Sequence, residues 1–302
     1  MKNGSALSTM MSTHLVQLQR REIVPQTEWK TLRRDLLKKR GIAMIIGTTD
    51  SGKSTLTRYL LKELSCRGVR ICLVDSDVGQ SSLGLPGTIS MKAFSSPKEV
   101  ETFRFERIFF VGTVNPAMKV PLIINGTKKI TDCCRGESDV TLIDTSWLVA
   151  GETGRALKVR KIRVINPNLV IALQCEDELE HILRAVEDIP IDRVKVSPMV
   201  RARSRGERIR YREEKFLSYF SETRLHEFFL EAKGVRFFDG VRPISPEAGM
   251  FKPGTIIGLN HDENTVALGI IGEITADYIT FKSPISGLKK VSKIIFGDMV
   301  LH

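Results

Sequence analysis

The chain has 302 residues, of which 42% are hydrophobic, and its 46 lysines and arginines against 35 aspartates and glutamates give a net charge of +11. It can hold one large α/β domain and a small one, and it lacks both an apolar run long enough to span a membrane and a recognisable secretion signal. The excess of positive charge favours a polyanionic partner, although a generic solubilising surface would give the same balance.

In chain order, a basic N-terminal segment precedes alternating strand and helix patterns. Within residues 1–40, the spacing of Leu32, Leu36 and Leu37 predicts a short helix. From residue 41 to 239, short apolar runs alternate with helical patterns, which predicts an α/β fold with a parallel sheet and helices on both faces. The predicted strands are residues 42–46, 69–74, 108–111, 140–143 and 169–173; the predicted helices follow Ser54, lie near 120–133 and span 177–187.

The first predicted strand is followed by G-x-x-x-x-G-K-S at residues 47–54, the phosphate-binding loop of nucleotide triphosphate sites. Backbone N–H groups and the dipole of the next helix point at phosphate, and the two glycines remove Cβ atoms that would block its approach. Lys53 is expected to reach the β- and γ-phosphates, and the Ser54 hydroxyl to bind Mg²⁺. The predicted nucleotide-binding residues are Gly47, Thr48, Thr49, Asp50, Ser51, Gly52, Lys53, Ser54 and Thr55.

Carboxylates follow two of the predicted strands, at the edge where a parallel sheet binds its ligand. Asp75 and Asp77 close the second strand, and their i, i+2 spacing points them to opposite sides, so one of the two is expected to face the phosphate. Asp144 closes the apolar run 140–143, where P-loop proteins hold Mg²⁺ or its water shell. The candidate metal ligands are Ser54, Asp75 and Asp144. A carboxylate here can also accept a proton from an attacking hydroxyl, whereas the alternative is that these aspartates only cap turns or helices.

The stretch 200–233 is polar, heavily charged and predicted to be helical, and six arginines fall between residues 201 and 212. Guanidinium groups stabilise the charge that phosphoryl transfer gathers on phosphate oxygens, and a mobile segment that carries them would expel water on closing. Residues 200–215 are therefore a candidate lid. Two alternatives remain: a solvated helix face with Glu207, Glu213 and Glu214 as ion-pair partners, or contacts with a nucleic-acid backbone.

After residue 239 the pattern changes to short β-like runs at 255–259, 265–271, 278–281 and 291–296. These runs predict a small antiparallel β domain over residues 240–302. The predicted organisation is therefore a basic segment over 1–40, a P-loop domain with the lid over 41–239, and this β domain.

The five cysteines are scattered and lack the C-x-x-C spacing of zinc sites. They are Cys66, Cys72, Cys133, Cys134 and Cys175. Their scatter predicts neither a zinc ion nor a disulfide framework, and a reducing, cytoplasmic location is expected.

The order of these motifs resembles the P-loop polynucleotide 5′-hydroxyl kinases, which include the RNA kinase of tRNA splicing and mRNA 3′-end formation, the pre-rRNA processing kinases and shorter archaeal and bacterial relatives. The most specific match is D-S-D-V-G-Q at 75–80 followed by P-G-T at 86–88, because general P-loop proteins lack it. The other matching stretches are 47–54, F-V-G-T-V-N-P at 110–116, D-T-S at 144–146, the arginines of 203–212 leading into 215–220, and the β runs of 254–301. The similarity covers residue 41 to the end.

Carried over by position, the resemblance implies ATP, GTP or another NTP with Mg²⁺ at residues 47–55, and RNA or DNA with a 5′-hydroxyl end as the acceptor. Asp77 would activate or orient the 5′-hydroxyl, so the candidate catalytic residues are Lys53, Asp77, Arg203 and Arg208. The candidate acceptor contacts are Gln80, Thr113, Asn115, Trp147, Arg205 and Arg212. No membrane partner is expected.

Two stretches depart from the family pattern. Members often read G-S-T-S-P where this chain has G-T-V-N-P at 112–116, and N-T-x-G-W-V where it has D-T-S-W-L-V at 144–149. Trp147 is expected either to stack on a base or to pack in the core. The basic residues of 155–163, among them Lys158 and Lys161, are expected to form either part of the acceptor surface or a solvated helix face.

Other functions stay open beside a kinase. The chain could be a GTPase-like or ATPase-coupled nucleotide-binding protein without kinase activity, although it has no N-K-x-D motif and its 144–147 segment lacks the glycine of D-x-x-G. It could also be a nucleic-acid-binding scaffold that keeps its nucleotide only for structure.

Overall fold

The computed structural model describes residues 23–101, 104–230 and 235–301, so the predictions for residues 1–22 lie outside it. The helices are α1 (Thr27–Lys39), α2 (Lys53–Ser65), α3 (Val120–Asp132), α4 (Gly151–Ile165), α5 (Glu180–Leu183) and α6 (Arg205–Tyr219), with 3₁₀ turns at Pro97–Glu101 and Arg184–Val186. None of these described helices is long and apolar enough to cross a membrane.

The strands that precede the lid are β1 (Gly41–Gly47), β2 (Ile71–Ser76), β3 (Thr88–Phe94), β4 (Arg107–Phe110), β5 (Val140–Thr145), β6 (Leu169–Gln174) and β7 (Ile191–Lys195). Five of them form the parallel sheet β2-β5-β1-β6-β7, which confirms the α/β prediction. β3 and β4 extend it in the antiparallel direction, so the expectation that 108–111 belongs to the parallel part was wrong. β3 and β7 were not predicted.

Helices cover both faces of this sheet because alternate residues of its strands point in opposite directions. Met44 and Ile46 of β1 pack in one core cluster with residues of α3 and α4. Ala43 and Ile45 pack in a second cluster on the other face, with residues of α1 and α2. The predicted helix in residues 27–39 is present, since Leu32 and Leu36 are buried in the second cluster.

Two helical predictions were too long. Only Glu180–Leu183, followed by a 3₁₀ turn, is helical within 177–187. α6 ends at Tyr219, and Arg224–Phe229 is a strand, β8, so the helix expected over 200–233 is interrupted. The alternation R-L-H-E-F-F suits a strand, and β8 pairs with a later strand through six residue pairs.

The C-terminal strands are β9 (Arg236–Asp239), β10 (Arg242–Ile244), β11 (Thr255–His261), β12 (Asn264–Ile274), β13 (Tyr278–Ser283) and β14 (Lys293–Val300). They pair mostly antiparallel, as expected, but β9 runs parallel to β14. β8 and β9 lie before residue 240 and yet pair with β13 and β14, so the strand pairing begins earlier than the predicted boundary. One pair, Thr265 with Ile108, joins β12 to β4.

Gly258 of β11 lies where the C-terminal strands pack against β4. A Cβ at this position would lie 2.5 Å from Cδ1 of Phe110, whose side chain is buried. We therefore expect Gly258→Ala to lower the free energy of unfolding by about 1–3 kcal/mol through overpacking. Urea denaturation measures this, with Gly287→Ala as the control because a Cβ there would meet nothing within 4 Å. Equal stability of the two variants would contradict the observed packing.

Cys72 and Cys134 form a disulfide, with their Cα atoms 5.9 Å apart. The prediction that the cysteines form no disulfide framework was therefore wrong for this pair. The two residues are 62 positions apart in the sequence, and they meet because the end of α3 packs over β2. Cys66, Cys133 and Cys175 are free.

Candidate active site

The phosphate-binding loop joins the end of β1 to the start of α2. Gly52 has φ of +88°, a left-handed conformation that glycine adopts without strain. A Cβ on Gly47 would lie 2.5 Å from Oγ of Ser51 and 2.8 Å from the Leu173 carbonyl oxygen. Both glycines are thus required by the loop itself, in addition to the approach of phosphate expected from the sequence.

Lys53 is buried within this loop. Its Nζ donates to the carbonyl oxygens of Gly47 at 3.0 Å and Thr48 at 2.6 Å, and to Oγ of Ser51 at 3.4 Å. Burial lowers the pKa of Lys53, and the charges of Asp144, Asp77 and Asp50 oppose that shift. The Lys53 nitrogen thus bonds to atoms of its own loop, while three aspartates act on it electrostatically.

Ser54, in the first turn of α2, lies beside Asp144, near the end of β5; both are predicted metal ligands, and that role stays a prediction. The Ser54 hydroxyl donates to Oδ2 of Asp144 at 2.7 Å. Oδ1 of Asp144 is buried and has no hydrogen-bond partner among the described residues. Burial and then the charge of Asp75 raise the pKa of Asp144 to about 7. A hydroxyl beside an unsatisfied carboxylate oxygen fits Mg²⁺, which prefers oxygen ligands.

Asp75 of β2 is the register partner of Asp144 of β5. Its carboxylate oxygens, however, accept hydrogen bonds from the loop that follows β2. Oδ2 accepts hydrogen bonds from both the backbone and the hydroxyl of Ser82, from the Ser81 hydroxyl and from the Leu83 backbone. Oδ1 accepts from the Asp77 backbone at 3.0 Å. These contacts favour a role in shaping residues 77–83, and the assignment of Asp75 as a metal ligand stays a prediction that they do not support.

Asp77 stands at the start of that loop. Its Oδ1 accepts from the backbone N–H groups of Gly79 at 2.9 Å and Gln80 at 3.1 Å. No group among the described residues donates to its Oδ2. Burial, followed by the charge of Asp75, raises the pKa of Asp77, whereas Lys53 lowers it. Oδ1 thus fixes the orientation of the carboxylate, and Oδ2 takes no part in these hydrogen bonds.

The lid reaches the phosphate-binding loop through Asp50. Oδ2 of Asp50 accepts from Nη2 of Arg208 at 2.5 Å and from the backbone of Arg203 at 3.1 Å. α6 begins directly after Ser204, which forms a capping box with Glu207. Glu207 also forms an ion pair with Arg201. The alternative interpretation of the six arginines, a solvated helix face with glutamate partners, therefore explains Arg201 but not Arg208, which pairs with Asp50. The guanidinium group of Arg203 lies 5.6 Å from the Tyr211 ring.

The second half of α6 is fastened to the loop after Asp77. The Tyr211 hydroxyl donates to the Ser81 carbonyl at 3.0 Å, and Nζ of Lys215 donates to the carbonyls of Ser82 and Gly84. Burial lowers the pKa of Lys215 to about 8. Neither Tyr211 nor Lys215 was singled out from the sequence. The start of the lid, in contrast, is held through Asp50 of the phosphate-binding loop.

Of the predicted acceptor contacts, Gln80 and Trp147 lie close to Asp77, a candidate catalytic residue. Nε2 of Gln80 donates to the carbonyl of Gly79 at 2.9 Å and to that of Arg208 at 3.4 Å. A Cβ on Gly79 would lie 3.4 Å from Oδ1 of Asp77 and 3.9 Å from Nε1 of Trp147. Trp147 is 41% exposed. The structure thus places Trp147 at the rim of the site and excludes the alternative of core packing.

The remaining acceptor candidates are placed differently. The Thr113 hydroxyl is buried and accepts from the Asn115 backbone, and Oδ1 of Asn115 accepts from the backbone of Ala117, so both side chains hold a local turn. Arg205 is exposed at the start of α6, and burial lowers the pKa of the half-buried Arg212. A direct contact of these four residues with an acceptor stays a prediction.

Two lysines of α4 occupy places that the sequence analysis did not foresee. Lys158 and Lys161 are fully buried, so the expectations of an acceptor surface and of a solvated face were both wrong for them. The buried positions of α4 are Gly154, Leu157, Lys158, Lys161, Ile162 and Ile165. This spacing is that of one helix face, so the apolar residues alone could have placed both lysines toward the sheet.

The chain is similar in sequence and in fold to known proteins. The chain shares 40% identity over 215 residues with a protein of Pyrococcus horikoshii named polyribonucleotide 5′-hydroxyl-kinase, an alignment that covers 69% of this chain and 58% of that protein. A Pyrococcus abyssi protein of the same name shares 38% over 211 residues, covering 68% and 58%. The chain therefore spans less than two thirds of the length of these relatives.

A solved structure of a Clp1p–Pcf11p complex matches the fold with a TM-score of 0.70 at 13% identity, over 90% of this chain and 79% of that one. The family model described as mRNA cleavage and polyadenylation factor CLP1 P-loop matches residues 47–222, which is more than half of the chain. The chain belongs to the CLP1 P-loop family.

Proposed function

We propose that this protein is an NTP- and Mg²⁺-dependent polynucleotide 5′-hydroxyl kinase that transfers the γ-phosphate of ATP or another NTP to the 5′-hydroxyl of RNA. The observation that carries the proposal is the convergence of a phosphate-binding lysine, a fixed carboxylate and a lid arginine at one edge of the sheet. The charge of Asp50 acts electrostatically on Lys53, and the same carboxylate forms an ion pair with Arg208. The Gln80 side chain donates a hydrogen bond to the Arg208 carbonyl and so joins the loop after Asp77 to the lid. The names of the curated relatives agree with this function.

The proposed reaction is an in-line displacement on the γ-phosphorus. The 5′-hydroxyl oxygen forms a bond to phosphorus, the bond to the β,γ-bridging oxygen breaks, and the nucleoside diphosphate leaves with the electron pair. The hydroxyl proton passes to Asp77, whose backbone hydrogen bonds on Oδ1 leave Oδ2 for the acceptor. A carboxyl group with a raised pKa suits this role because a general base works best near the operating pH.

Charge on the transferred group is neutralised from three sides. Lys53 binds the phosphate oxygens from the loop, and Arg203 and Arg208 approach from the lid. Mg²⁺ held by Ser54 and Asp144 would offset charge on the β- and γ-phosphates. Trp147, exposed at the rim, offers a ring face on which the terminal base of the acceptor can stack.

One assay tests the proposal. The protein is mixed with Mg²⁺, γ-labelled ATP or GTP, and a 5′-hydroxyl oligonucleotide of either RNA or DNA. Transfer of label to RNA is the expected result. The ratio of the transfer rates to RNA and to DNA reports whether the protein distinguishes ribose from deoxyribose in the acceptor. Release of phosphate without transfer would favour the GTPase-like or ATPase-coupled alternative, and neither reaction would favour a scaffold.

The contact between Asp50 and the lid leads to a prediction about closure. Since Oδ2 of Asp50 holds both Arg203 and Arg208, Asp50→Asn is expected to raise the open fraction of the start of the lid. A partly buried ion pair contributes about 1 kcal/mol, so limited trypsin cleavage within 201–208 should be about fivefold faster. The matched control is Asp132→Asn, which removes ion pairs on α3. Equal cleavage rates for both variants would show that Asp50 does not hold the lid.

A further inference from the structure

The ammonium groups of Lys158 and Lys161 are enclosed between α4 and the sheet. Both side chains have a relative exposure of 0%. Nζ of Lys158 donates to Oγ1 of Thr145 at 2.9 Å and to the carbonyl oxygen of Ser146. Nζ of Lys161 donates to Oγ of Ser76 at 2.5 Å. Within residues 23–101, 104–230 and 235–301, neither lysine forms an ion pair with a carboxylate.

Such burial is unfavourable for folding, because an ammonium group loses its water and gains only neutral partners. Burial accordingly lowers the pKa of both lysines, that of Lys161 to about 7. Helix faces that pack on a sheet usually carry apolar side chains, as Leu157 and Ile162 do here. Charged groups that persist in such a place are candidates for a functional role.

The partners of the two lysines adjoin the proposed catalytic residues. Ser76 lies between Asp75 and Asp77, and it is the register partner of Thr145, which follows Asp144. Lys158 and Lys161 therefore hold the carboxyl ends of β2 and β5 from the side covered by α4. The aspartates at these strand ends act electrostatically on both lysines: Asp77 and Asp75 oppose the lowering of the pKa of Lys161, and Asp77 and Asp144 oppose that of Lys158.

The same contacts extend to the acceptor side of the site. Lys158 binds the carbonyl of Ser146, the residue before Trp147. Trp147 in turn approaches the Asp77–Gly79 loop, where a Cβ on Gly79 would lie 3.9 Å from its Nε1. Two segments are proposed to border the acceptor, the one that carries Trp147 and the one that begins the Asp77 loop. Each thus accepts a hydrogen bond from a lysine of α4.

We propose that Lys158 and Lys161 are positioning residues for the acceptor: Lys158 holds the segment that carries Trp147, and Lys161 holds Ser76 and with it the start of the Asp77 loop. The hydrogen bonds of the two lysines go to Ser76, Thr145 and Ser146 and not to residues 47–54, so neither is proposed to touch the reacting atoms. The inference depends on the proposed kinase function for its kinetic test, and a second test below is independent of activity.

The kinetic test compares Lys158→Met and Lys161→Met with wild type, using ATP and a 5′-hydroxyl RNA oligonucleotide. Displacement of the Trp147 segment or of the Asp77 loop should lower kcat/KM for RNA by on the order of 10- to 100-fold. The KM for ATP should change by less than about threefold, because the loop that binds it keeps its contacts. Lys62→Met, on the exposed side of α2, is the matched control and should leave both parameters unchanged.

Ser76→Ala gives a second route to the same answer if a methionine variant fails to fold. It removes the hydrogen-bond partner of Lys161 without changing any charge. It should also lower kcat/KM for RNA while the KM for ATP changes by less than about threefold. Folded variants with wild-type kcat/KM for RNA, or with a KM for ATP raised as much as kcat/KM for RNA is lowered, would overturn the positioning role.

The second test follows Trp147 directly. The chain has two tryptophans, and Trp29→Phe leaves Trp147 as the only one. In that background, Lys158→Met should raise the acrylamide quenching constant of Trp147 about twofold, because its segment loses an anchor. An unchanged constant would overturn the role of Lys158. This result is informative even if wild type transfers no phosphate, an outcome that would refute the kinase function alone.

Discussion

Asp77→Asn is expected to lower kcat for phosphoryl transfer to RNA by about 10²- to 10⁴-fold, because asparagine cannot take the proton of the attacking hydroxyl. The substitution keeps an oxygen that can accept from the backbones of Gly79 and Gln80, so the loop should retain its shape. The KM for NTP should stay within about threefold of wild type, since Asp77 lies on the acceptor side. Single-turnover assays with labelled ATP measure the chemical step.

The control for this variant is Asp188→Asn, an exposed carboxylate that pairs with Arg163 on the surface. It should retain wild-type kcat. Transfer at the wild-type rate by Asp77→Asn would remove Asp77 from the mechanism. A loss of NTP binding equal to the loss of kcat would instead assign it to the nucleotide site.

Lys53→Met is expected to have a comparable or larger effect, with a loss of about 10³-fold or more in kcat and weaker NTP binding. The ammonium group sits inside the loop, within 3.0 Å of the Gly47 and Thr48 carbonyls, where it can move onto phosphate oxygens. Removing a cation that neutralises charge on the transferred group raises the barrier to transfer. Methionine keeps most of the volume of the buried side chain.

Equilibrium binding of a fluorescent ATP analogue, together with single-turnover transfer, separates the two losses in Lys53→Met. Because Lys53 and Asp77 act on the same displacement, the double variant should be little worse than the more impaired single variant. Additive losses would indicate that the two residues serve separate steps. Substantial transfer by Lys53→Met would contradict the proposed phosphate site.

Contiguous motifs could be predicted from the sequence because their geometry is local. The phosphate-binding loop follows a buried strand and opens a helix, so Lys53 and Ser54 are placed by only a few residues on either side. Asp75 and Asp144 were expected after two strands at the same edge of the sheet; the structure adds that those strands are neighbours and that the two residues are register partners. The roles of the individual site residues stay predictions until the variants are measured.

Where the prediction was wrong, packing between distant segments decided the outcome. Arg224–Phe229 was assigned to a helix because it follows a charged helical stretch, but pairing with β13 makes it a strand. Lys158 and Lys161 were assigned to the surface because of their charge, but the apolar residues of α4 turn that face toward the sheet. The Cys72–Cys134 disulfide likewise depends on a contact across 62 residues.

The sequence by itself determined the nucleotide loop, the carboxylates at the strand ends and the alternation of strands and helices, because each depends on hydrogen bonds and side-chain periodicity over a few neighbouring residues. Only the tertiary structure decided that Asp50 meets Arg208, 158 positions away, and that Lys158 and Lys161 are buried against Thr145 and Ser76. Such contacts depend on how the helices pack on the sheet. No local sequence pattern around either residue identifies its distant partner.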